Sequence, residues 1–438
     1  SSSTASGSSW PWPCAPASMT SRSSTHARKW KWPVVLRIES KVDWWLDLDR
    51  GRCKDIRQAT PDELLKTDII LAASEKDWGR ILSGEVAPIV AIMQGVITLE
   101  RGSLLKLSRH AQAATEMLQA AISLEKTEVQ PQEEMKAKPS LGAVAQISDA
   151  HQAFRTTSAG GLDQDSLPMQ LFQKAKKLGV WDPMDIDFQK DRADWQRLTE
   201  DEQDILVRLL AMFQAGEEAV TLDLLPLMRV IAKEGRIEEE MYLTTFLFEE
   251  AKHVELFSRI FKEVVVRTDD LSGYHSASYR ALFYEALPTA MNRLDADSSP
   301  AAQLTASATY NMVVEGTLAE TGYHAFYSVL ESRGIMPGVT EGIRLLQRDE
   351  SRHIAYGVHL ITRLIRENPE LSPLFHQVMG ELIPVATATI SEIFSQYDPV
   401  PFGLREEDFL RFAMDQFGKR MRRIESGASG APVQSASE

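Results

Sequence analysis

The chain has 438 residues, of which 43% are hydrophobic and 25% are charged, and its formal net charge is −14. This is the composition of a globular protein long enough for two or three domains. The acidic balance, without a separate block of lysine and arginine, argues against a nucleic-acid partner. Cys14 and Cys53 form no metal or disulfide motif, and no apolar run reaches the ~20 residues of a transmembrane helix, so we expect a cytoplasmic protein.

The N-terminal part of the chain is predicted to be a tail followed by a small mixed domain. Residues 1–33 are rich in serine, proline and threonine and lack the apolar segment of a secretory signal, so we predict a disordered tail. Residues 34–127 change pattern repeatedly, as expected for an α+β domain, and Ser74 and Gly84 are placed to begin and end a helix. The other predicted elements are strands in VVLRIE, DWWLDLD and GVITLERGSLLKL, a short apolar run in TDIILAAS, and a closing helix in RHAQAATEMLQAAISLEK.

The rest of the chain is predicted to be a linker at 128–165, a helical domain at 166–425 and a disordered tail at 426–438. In the first long helix, Thr199 and Glu202 form a capping box and Gly235 marks the end. Long helices joined by short connections indicate antiparallel hairpins within a bundle. The further predicted helices cover residues 237–267, 301–333, 340–367, 373–397 and 406–424.

Two of these helices carry the same short pattern, a glutamate followed three residues later by a histidine. The pairs are Glu250 with His253, and Glu350 with His353. Residues i and i+3 share one face of a helix, so each pair can direct a carboxylate and an imidazole to one point. Each pair taken alone is equally well explained as two solvated helix residues.

Two further glutamates make a shared site the better explanation. Glu217 precedes Glu250 by 33 residues, and Glu315 precedes Glu350 by 35, with both on otherwise apolar helices. Four buried carboxylates facing two imidazoles require cations, because an unpaired buried charge is costly. One glutamate from each of two helices and Glu-x-x-His from each of two others is the ligand set of ferritin-like dinuclear proteins. Glutamate and imidazole without thiolate suit iron and manganese.

Other polar residues of the helical domain are predicted to lie outside this site. Glu218 and Glu249 are each adjacent to a predicted ligand, and neighbouring helical residues point about 100° apart, so we expect both to face away. His324 has no partner pair, and we predict a structural role for it.

The helical region resembles the ribonucleotide reductase small-subunit superfamily from about residue 160 to 425. The segment VWDPMDIDFQKDRADW is similar to that superfamily's entry segment, and the six predicted ligands occur in its order. The resemblance implies that the radical-bearing tyrosine of typical small subunits is replaced here by Phe257. The C-terminal IESGASGAPVQSASE also lacks the tyrosine and acidic end that engage a large subunit. A reductase small subunit without a tyrosyl radical is therefore the alternative.

The helical region is more similar to the ligand-binding oxidases of this superfamily. That resemblance implies a manganese and iron pair, with di-iron as the alternative, together with O₂ and a bound long-chain fatty acid. It also implies an ether bond that the enzyme forms between Val220 and Tyr310, and a hydrogen-bonded relay through Trp181 and Asp349 beside the metals. A homodimer through the helical domain is a further arrangement that the resemblance suggests.

The N-terminal domain resembles sterol carrier protein type 2 domains over about residues 34–122. The similarity is carried by the run DWGRILSGEVAPIVAIMQGVITLERGSLLKL. Such domains hold lipids in an apolar tunnel, so the fusion makes a lipid substrate more plausible than either half does. The prediction is an O₂-activating dinuclear oxidase acting on a bound lipid, with a reductase subunit and a non-catalytic lipid-binding protein as alternatives.

Overall fold

In the computed structural model, the chain is described over residues 33–39, 42–49, 52–102, 107, 154–157, 160–267 and 269–429. The chain divides into two compact units, Ser1–Gly142 and Ala143–Glu438. The predicted fold classes, a mixed α+β domain followed by a helical one, are confirmed. The boundaries predicted at residues 34, 127, 165 and 425 stay predictions.

The first unit contains a five-stranded sheet with the strand order β3-β2-β1-β4-β5. Strand β1 lies at its centre, antiparallel to β2 and parallel to β4, and the remaining neighbours are antiparallel. The elements are β1 (Val34–Ile38), β2 (Val42–Asp49), β3 (Arg52–Gln58), α1 (Pro61–Lys66), β4 (Ile70–Ala73), α2 (Glu75–Leu82), α3 (Pro88–Met93) and β5 (Thr98–Arg101).

The core of this unit lies on the central strands, which are apolar in sequence. All four residues of β4 are buried, as are Val34, Val35 and Ile38 of β1. Helix α2 begins where predicted, because the Ser74 side chain accepts a hydrogen bond from the backbone of Asp77. Gly84 follows this helix with a positive φ of 77°, as a helix-ending glycine does. The predicted closing helix at 109–126 lies outside the described residues.

The second unit is helical, and the predicted helices are present with modified bounds. The last helix continues past residue 425 into the segment predicted as a tail. Among the described residues, no helix is both long and apolar enough to cross a bilayer. The main helices are α4 (Leu167–Leu178), α5 (Gln189–Trp195), α6 (Glu200–Lys233), α7 (Ile237–Ile260), α8 (Ala277–Arg280), α9 (Leu287–Asn292), α10 (Pro300–Ser307), α11 (Glu320–Phe326), α12 (Pro337–Glu367), α13 (Ser372–Phe394) and α14 (Glu406–Ala428).

Helices α6 and α7 form the predicted antiparallel hairpin. The capping box is present, since Thr199 Oγ1 accepts from the Glu202 amide and the Glu202 carboxylate accepts from the Thr199 amide at 2.9 Å. Gly235, with φ of 70°, provides the turn between the two helices. This turn places the middle of α6 beside the middle of α7.

The helix predicted over 301–333 differs from the structure, because two of its stretches are π-helical. These are Ala308–Ala319 and Tyr327–Glu331. The wider turn appears in the hydrogen bond from the Glu320 backbone N–H to the Glu315 carbonyl, five residues earlier. Apolar periodicity does not distinguish an α-turn from a π-turn. The first π segment carries Tyr310 and Glu315, and π-turns are frequent at functional sites.

Asp223 on α6 gives a pH prediction for the fold. Its side chain is buried, and burial raises its pKa to about 6. A raised pKa means that stability is lost as pH rises from about 4, where the unfolded carboxyl ionises, through 6. We expect Asp223→Asn to stabilise the chain by about 1–2 kcal/mol at pH 8 and by almost nothing at pH 4. Urea unfolding at both pH values measures this, and Glu218→Gln, at an exposed site on the same helix, should change neither value.

Candidate metal centre

The six predicted ligands come from four helical segments and meet in the interior of the bundle. Helix α6 supplies Glu217, and the π-helical segment supplies Glu315. Helices α7 and α12 supply the two Glu-x-x-His pairs. Every one of the six side chains is between 0 and 4% exposed. The pairs point inward because the i, i+3 spacing places both members on the buried face of their helix.

The ligand atoms form two overlapping groups, each within 4.8 Å. In the first, His253 Nδ1 lies 3.2 Å from Glu350 Oε1 and 3.5 Å from Glu217 Oε2. In the second, His353 Nδ1 lies 3.1 Å from Glu250 Oε1 and 3.8 Å from Glu315 Oε1. Both groups share two glutamates, which is the arrangement that two bridged cations need. The groups are Glu217, Glu250, His253 and Glu350, and Glu250, Glu315, Glu350 and His353.

Several of these atoms are buried without a hydrogen-bond partner. A buried polar atom left unpaired costs about 1–3 kcal/mol, so a cluster of them requires an explanation. A divalent cation at each group would satisfy the carboxylate oxygens and the two Nδ1 atoms at once, because each of these is a lone-pair donor, whereas His253 Nε2 faces Asp349. The unpaired atoms are both carboxylate oxygens of Glu250, both ring nitrogens of His253, Oε1 of Glu315, Oε2 of Glu350 and Nδ1 of His353.

The pKa values of the buried glutamates also indicate a site for cations. Burial raises the pKa of Glu217 to about 8 and raises the pKa of Glu315 well above its usual range. Burial also acts to raise the pKa of Glu250, but the ring nitrogens of His253 and His353 outweigh it and lower that pKa to about 2. Bound protons and the neighbouring imidazoles therefore offset the negative charge of these carboxylates, as metal cations would in a loaded site.

Glu249 contradicts the prediction that it faces away. It is 1% exposed, and its Oε2 lies 2.9 Å from His353 Nε2. Its Oε1 accepts from the Arg352 guanidinium at 2.6 Å. The prediction was wrong because the 100° turn from Glu250 directs Glu249 toward α12. There its carboxylate contacts the Arg352 guanidinium and Nε2 of His353. Glu218 is exposed, and its predicted orientation is confirmed.

Asp349 occupies the corresponding position behind His253. Its Oδ2 lies 3.5 Å from His253 Nε2 and accepts from Trp181 Nε1 at 2.8 Å. Lys252 Nζ at 3.0 Å and the Arg352 guanidinium at 2.6 Å also donate to this carboxylate. Outer carboxylates of this kind fix the orientation of a ligating imidazole.

Several residues around the site were missed by reasoning from the sequence. Asn311 donates to Glu315 Oε2 at 2.8 Å, and Ser307 in turn donates to Asn311 at 2.8 Å. Gly357 on α12 lets Asn311 approach closely, because a Cβ there would overlap the Asn311 side chain. Phe246 stacks on the His353 ring with centroids 3.6 Å apart. The only sequence signal for Asn311 is its position four residues before a ligand.

Val220 and Tyr310 lie side by side near the ligands. Both are buried, at 4% and 0% exposure, and Tyr310 Oη donates to the Val220 carbonyl at 3.1 Å. Val220 is one helical turn from Glu217, and Tyr310 lies five residues before Glu315. The structure therefore brings together the two residues for which a covalent bond was predicted.

A cavity of about 130 Å³ adjoins the ligand cluster. Glu217, Glu250, Glu315 and Glu350 lie on its wall, and most of the remaining wall is aliphatic or aromatic. Tyr323 also lines it and has a buried hydroxyl without a hydrogen-bond partner. The cavity wall consists of side chains from helices α6, α7, α8, α11, α12, α13 and α14 and from the segments beside them.

Two aromatic positions considered in the sequence analysis lie where packing explains them. Phe257 is fully buried and stacks on Phe213 at 5.2 Å between ring centroids. His324 stacks on Phe412 at 4.2 Å and joins neither ligand group. The structural role predicted for His324 agrees with this contact.

Two Glu-x-x-His pairs and two further glutamates are thus buried together inside one helical bundle. This arrangement defines a dinuclear carboxylate protein of the ferritin-like class. Residues 169–424 match the family described as "Ribonucleotide reductase, small chain". Residues 20–104 match the "SCP-2 sterol transfer family".

The solved structures similar to this chain indicate to which group of dinuclear carboxylate proteins it belongs. A tyrosine-to-phenylalanine mutant of an R2-like ligand-binding oxidase with aerobically reconstituted Mn/Fe cofactor is 40% identical, with a TM-score of 0.60. The match covers 63% of this chain and 98% of that one. A valine-to-leucine mutant with anaerobically reconstituted Mn/Fe cofactor is 41% identical, with a TM-score of 0.59 and the same coverage. The chain belongs to the ribonucleotide reductase small-chain family and, within it, to the R2-like ligand-binding oxidases, which confirms the predicted oxidoreductase class.

Proposed function

We propose that this chain is an O₂-activating oxidase that holds a manganese and iron pair and acts on a bound lipid with an acyl chain. The observation that carries the proposal is the buried cluster of six lone-pair donors, with unsatisfied atoms, opening onto an apolar cavity. The Mn/Fe cofactors of the similar oxidases support this metal pair, and a di-iron pair is the alternative.

In this proposal the six side chains divide between two metal positions. Glu217 and His253 would hold one metal, Glu315 and His353 would hold the other, and Glu250 and Glu350, which belong to both groups, would contribute to both positions. Bound in the reduced state, the metals would supply electrons to O₂ and so provide an oxidant strong enough for C–H bonds. The protein supplies charge neutralisation through four carboxylates, a fixed orientation for each imidazole through Glu249 and Asp349, and a dry surrounding.

The shape of the cavity supports an acyl chain as ligand, and its charge makes the binding of an acidic end dependent on the metals. Its wall is mostly apolar, and the ionisable side chains on it that lie at the cluster are carboxylates. An anionic head group would be repelled by these carboxylates unless cations lie between them, so metal binding and lipid binding are coupled. The acyl chain would then extend along the apolar wall, away from the ligands.

A filled cavity should prevent lipid binding without removing the metals. Gly216 lies on the cavity wall, where the atoms nearest to an added Cβ would be those of the Phe283 ring, at 3.4 Å, and the Tyr279 hydroxyl, at 3.6 Å. We expect Gly216→Leu to reduce the fatty acid bound in this cavity by roughly tenfold, because two or three methylene groups of cavity are worth at least 1.4 kcal/mol. Mass spectrometry of the extracted lipid measures this. The exposed site variant Leu222→Phe on the same helix should retain lipid, and an unchanged lipid content in Gly216→Leu would contradict the cavity as the binding site.

The same oxidant would join Val220 to Tyr310. A C–H bond of the Val220 side chain and the O–H bond of Tyr310 would break, and one C–O bond would form between them. Two protons and two electrons would be lost, and O₂ would accept the electrons. The contact between the two buried residues supports this step.

Aerobic loading with manganese and iron should therefore lower the mass of the chain by two hydrogens. Peptide mapping should find the segments with Val220 and Tyr310 linked in most of the loaded molecules. Anaerobically loaded chain and the variant Tyr310→Phe should show neither the mass loss nor the link. Unlinked peptides from fully loaded, oxygen-exposed chain would count against the oxidase and favour the reductase-subunit alternative, whereas absence of bound iron and manganese would favour a lipid-binding protein alone.

The match to the sterol transfer family extends the proposal to the N-terminal unit. We propose that this unit, at the predicted residues 34–127, presents or sequesters the lipid on which the oxidase acts. A cytoplasmic location and a homodimer through the helical domain stay predictions of the same proposal. Comparing the lipid bound by the wild-type chain and by Gly216→Leu separates the contributions of the two units. Lipid that the variant loses was held in the cavity of the helical unit, and lipid that it keeps is held by the N-terminal unit.

A further inference from the structure

Lys252 is a buried lysine whose ammonium group lies on the face of Trp181. Its Nζ is 4.2 Å from the centroid of the indole ring. The same nitrogen donates to the Gly179 carbonyl at 2.6 Å and to Asp349 Oδ2 at 3.0 Å. Lys252 is 6% exposed. Three contacts thus hold a positive charge at one place above the indole.

Trp181 is an oxidisable side chain near His253, one of the six predicted metal ligands. It is half-buried, and its Nε1 donates to Asp349 at 2.8 Å. Its ring lies 6.3 Å from the His253 ring, with an angle of 17° between the planes. Indole loses an electron more readily than aliphatic or phenylalanine side chains do. A strong oxidant at the centre could therefore take an electron from Trp181 instead of from the bound lipid.

We propose that Lys252 protects Trp181 from one-electron oxidation and so keeps oxidising equivalents for the substrate. A cation is attracted to the face of a neutral indole and repelled by an indole radical cation, so Lys252 favours the reduced ring. Lys252 and Arg352 also offset the negative charge of Asp349, which would otherwise stabilise the oxidised ring. In the disfavoured step one electron passes from the indole to the O₂-derived oxidant. The inference relies on the proposed function only for the identity of that oxidant.

An external oxidant tests the role of Lys252 independently of the centre. Full-length chain without added metal would be exposed to light-generated tris(bipyridine)ruthenium(III), which removes one electron. Tryptic peptide mapping would then measure oxidation of Trp181 relative to the buried Trp195 in the same digest. We expect Lys252→Met to increase Trp181 oxidation by at least about tenfold over wild type, because the cation is lost. Lys252→Arg, which keeps the charge, should remain within about twofold of wild type.

A change in solvent access must be separated from a change in charge. Singlet oxygen, generated by light and rose bengal, reacts according to access, and it should oxidise Trp181 equally in wild type, Lys252→Met and Lys252→Arg. Equal ruthenium-driven oxidation in all three, or an increase in Lys252→Met that singlet oxygen reproduces, would overturn the protecting role. Repeating the comparison on chain loaded with manganese and iron in air, without ruthenium, then tests the centre. Absence of Trp181 oxidation in the loaded Lys252→Met variant would count against the proposed oxidant, not against the protecting role of Lys252.

Discussion

Glu250→Ala should lower the affinity of the chain for manganese and iron by roughly 100-fold or more, with loss of both metals. Loss of an outer partner alone typically costs 10- to 100-fold in affinity, and Glu250 is shared by both ligand groups. Its removal also leaves His353 Nδ1 without the carboxylate oxygen 3.1 Å away. Equilibrium dialysis followed by elemental analysis measures the change.

The matched control for this variant is Glu255→Ala, an exposed glutamate on the same helix, which should bind both metals as wild type does. Glu217→Ala should be less severe than Glu250→Ala, because Glu217 belongs to only one of the two groups. Two metals per chain in Glu250→Ala, at wild-type affinity, would contradict the proposed bridging role. The far-ultraviolet circular dichroism of each variant establishes that the helices are retained.

Arg352→Met should destabilise the chain by about 3–5 kcal/mol. Its guanidinium donates to Glu249 and to Asp349, each at 2.6 Å, and all three side chains are at most 5% exposed. Removing one partner of a buried ion pair leaves the other charge uncompensated in a medium where water cannot reach it. Urea unfolding with metals removed by chelation measures this effect without a contribution from metal affinity.

An exposed arginine on the same helix provides the comparison. Arg344 pairs with Glu341 at 2.6 Å, but its side chain is 52% exposed, so Arg344→Met should cost at most about 1 kcal/mol. Combining Arg352→Met with Glu249→Gln should restore part of the loss, since the second change removes the stranded charge. Equal stabilities of Arg352→Met and Arg344→Met would contradict the importance of the buried network.

The helical hairpin of α6 and α7 was predictable because its signals are local. The capping box of Thr199 and Glu202 and the positive φ of Gly235 depend only on residues near each position. The Glu-x-x-His pairs were predictable for the same reason, since a spacing of three residues fixes a shared face wherever the helix is placed. The π-helical segment that carries Tyr310 and Glu315 was not predictable, because its apolar sequence suits an α-helix equally well.

The burial of Glu249 could not be predicted from the geometry of its own helix. Relative to Glu250 its direction follows from helix geometry, but whether that direction leads to solvent or to another helix depends on what packs there. Arg352 on α12 occupies that place, and it turns an expected surface residue into a buried partner of His353. Lys252 was overlooked for the same reason, because it acts on Trp181, which is distant in sequence. Asn311 was overlooked because it contacts Glu315 within the π-helical segment, which the sequence does not reveal.

The sequence by itself determined the type, number and order of the six side chains that meet in the bundle, because helix periodicity and the need to neutralise buried carboxylates act on residue identities alone. The tertiary structure decided which neighbours support them, where the cavity lies and how Lys252 and Arg352 distribute charge behind the histidines. These features depend on the packing of one helix against another, and contacts between distant segments leave no periodic signal in a single chain.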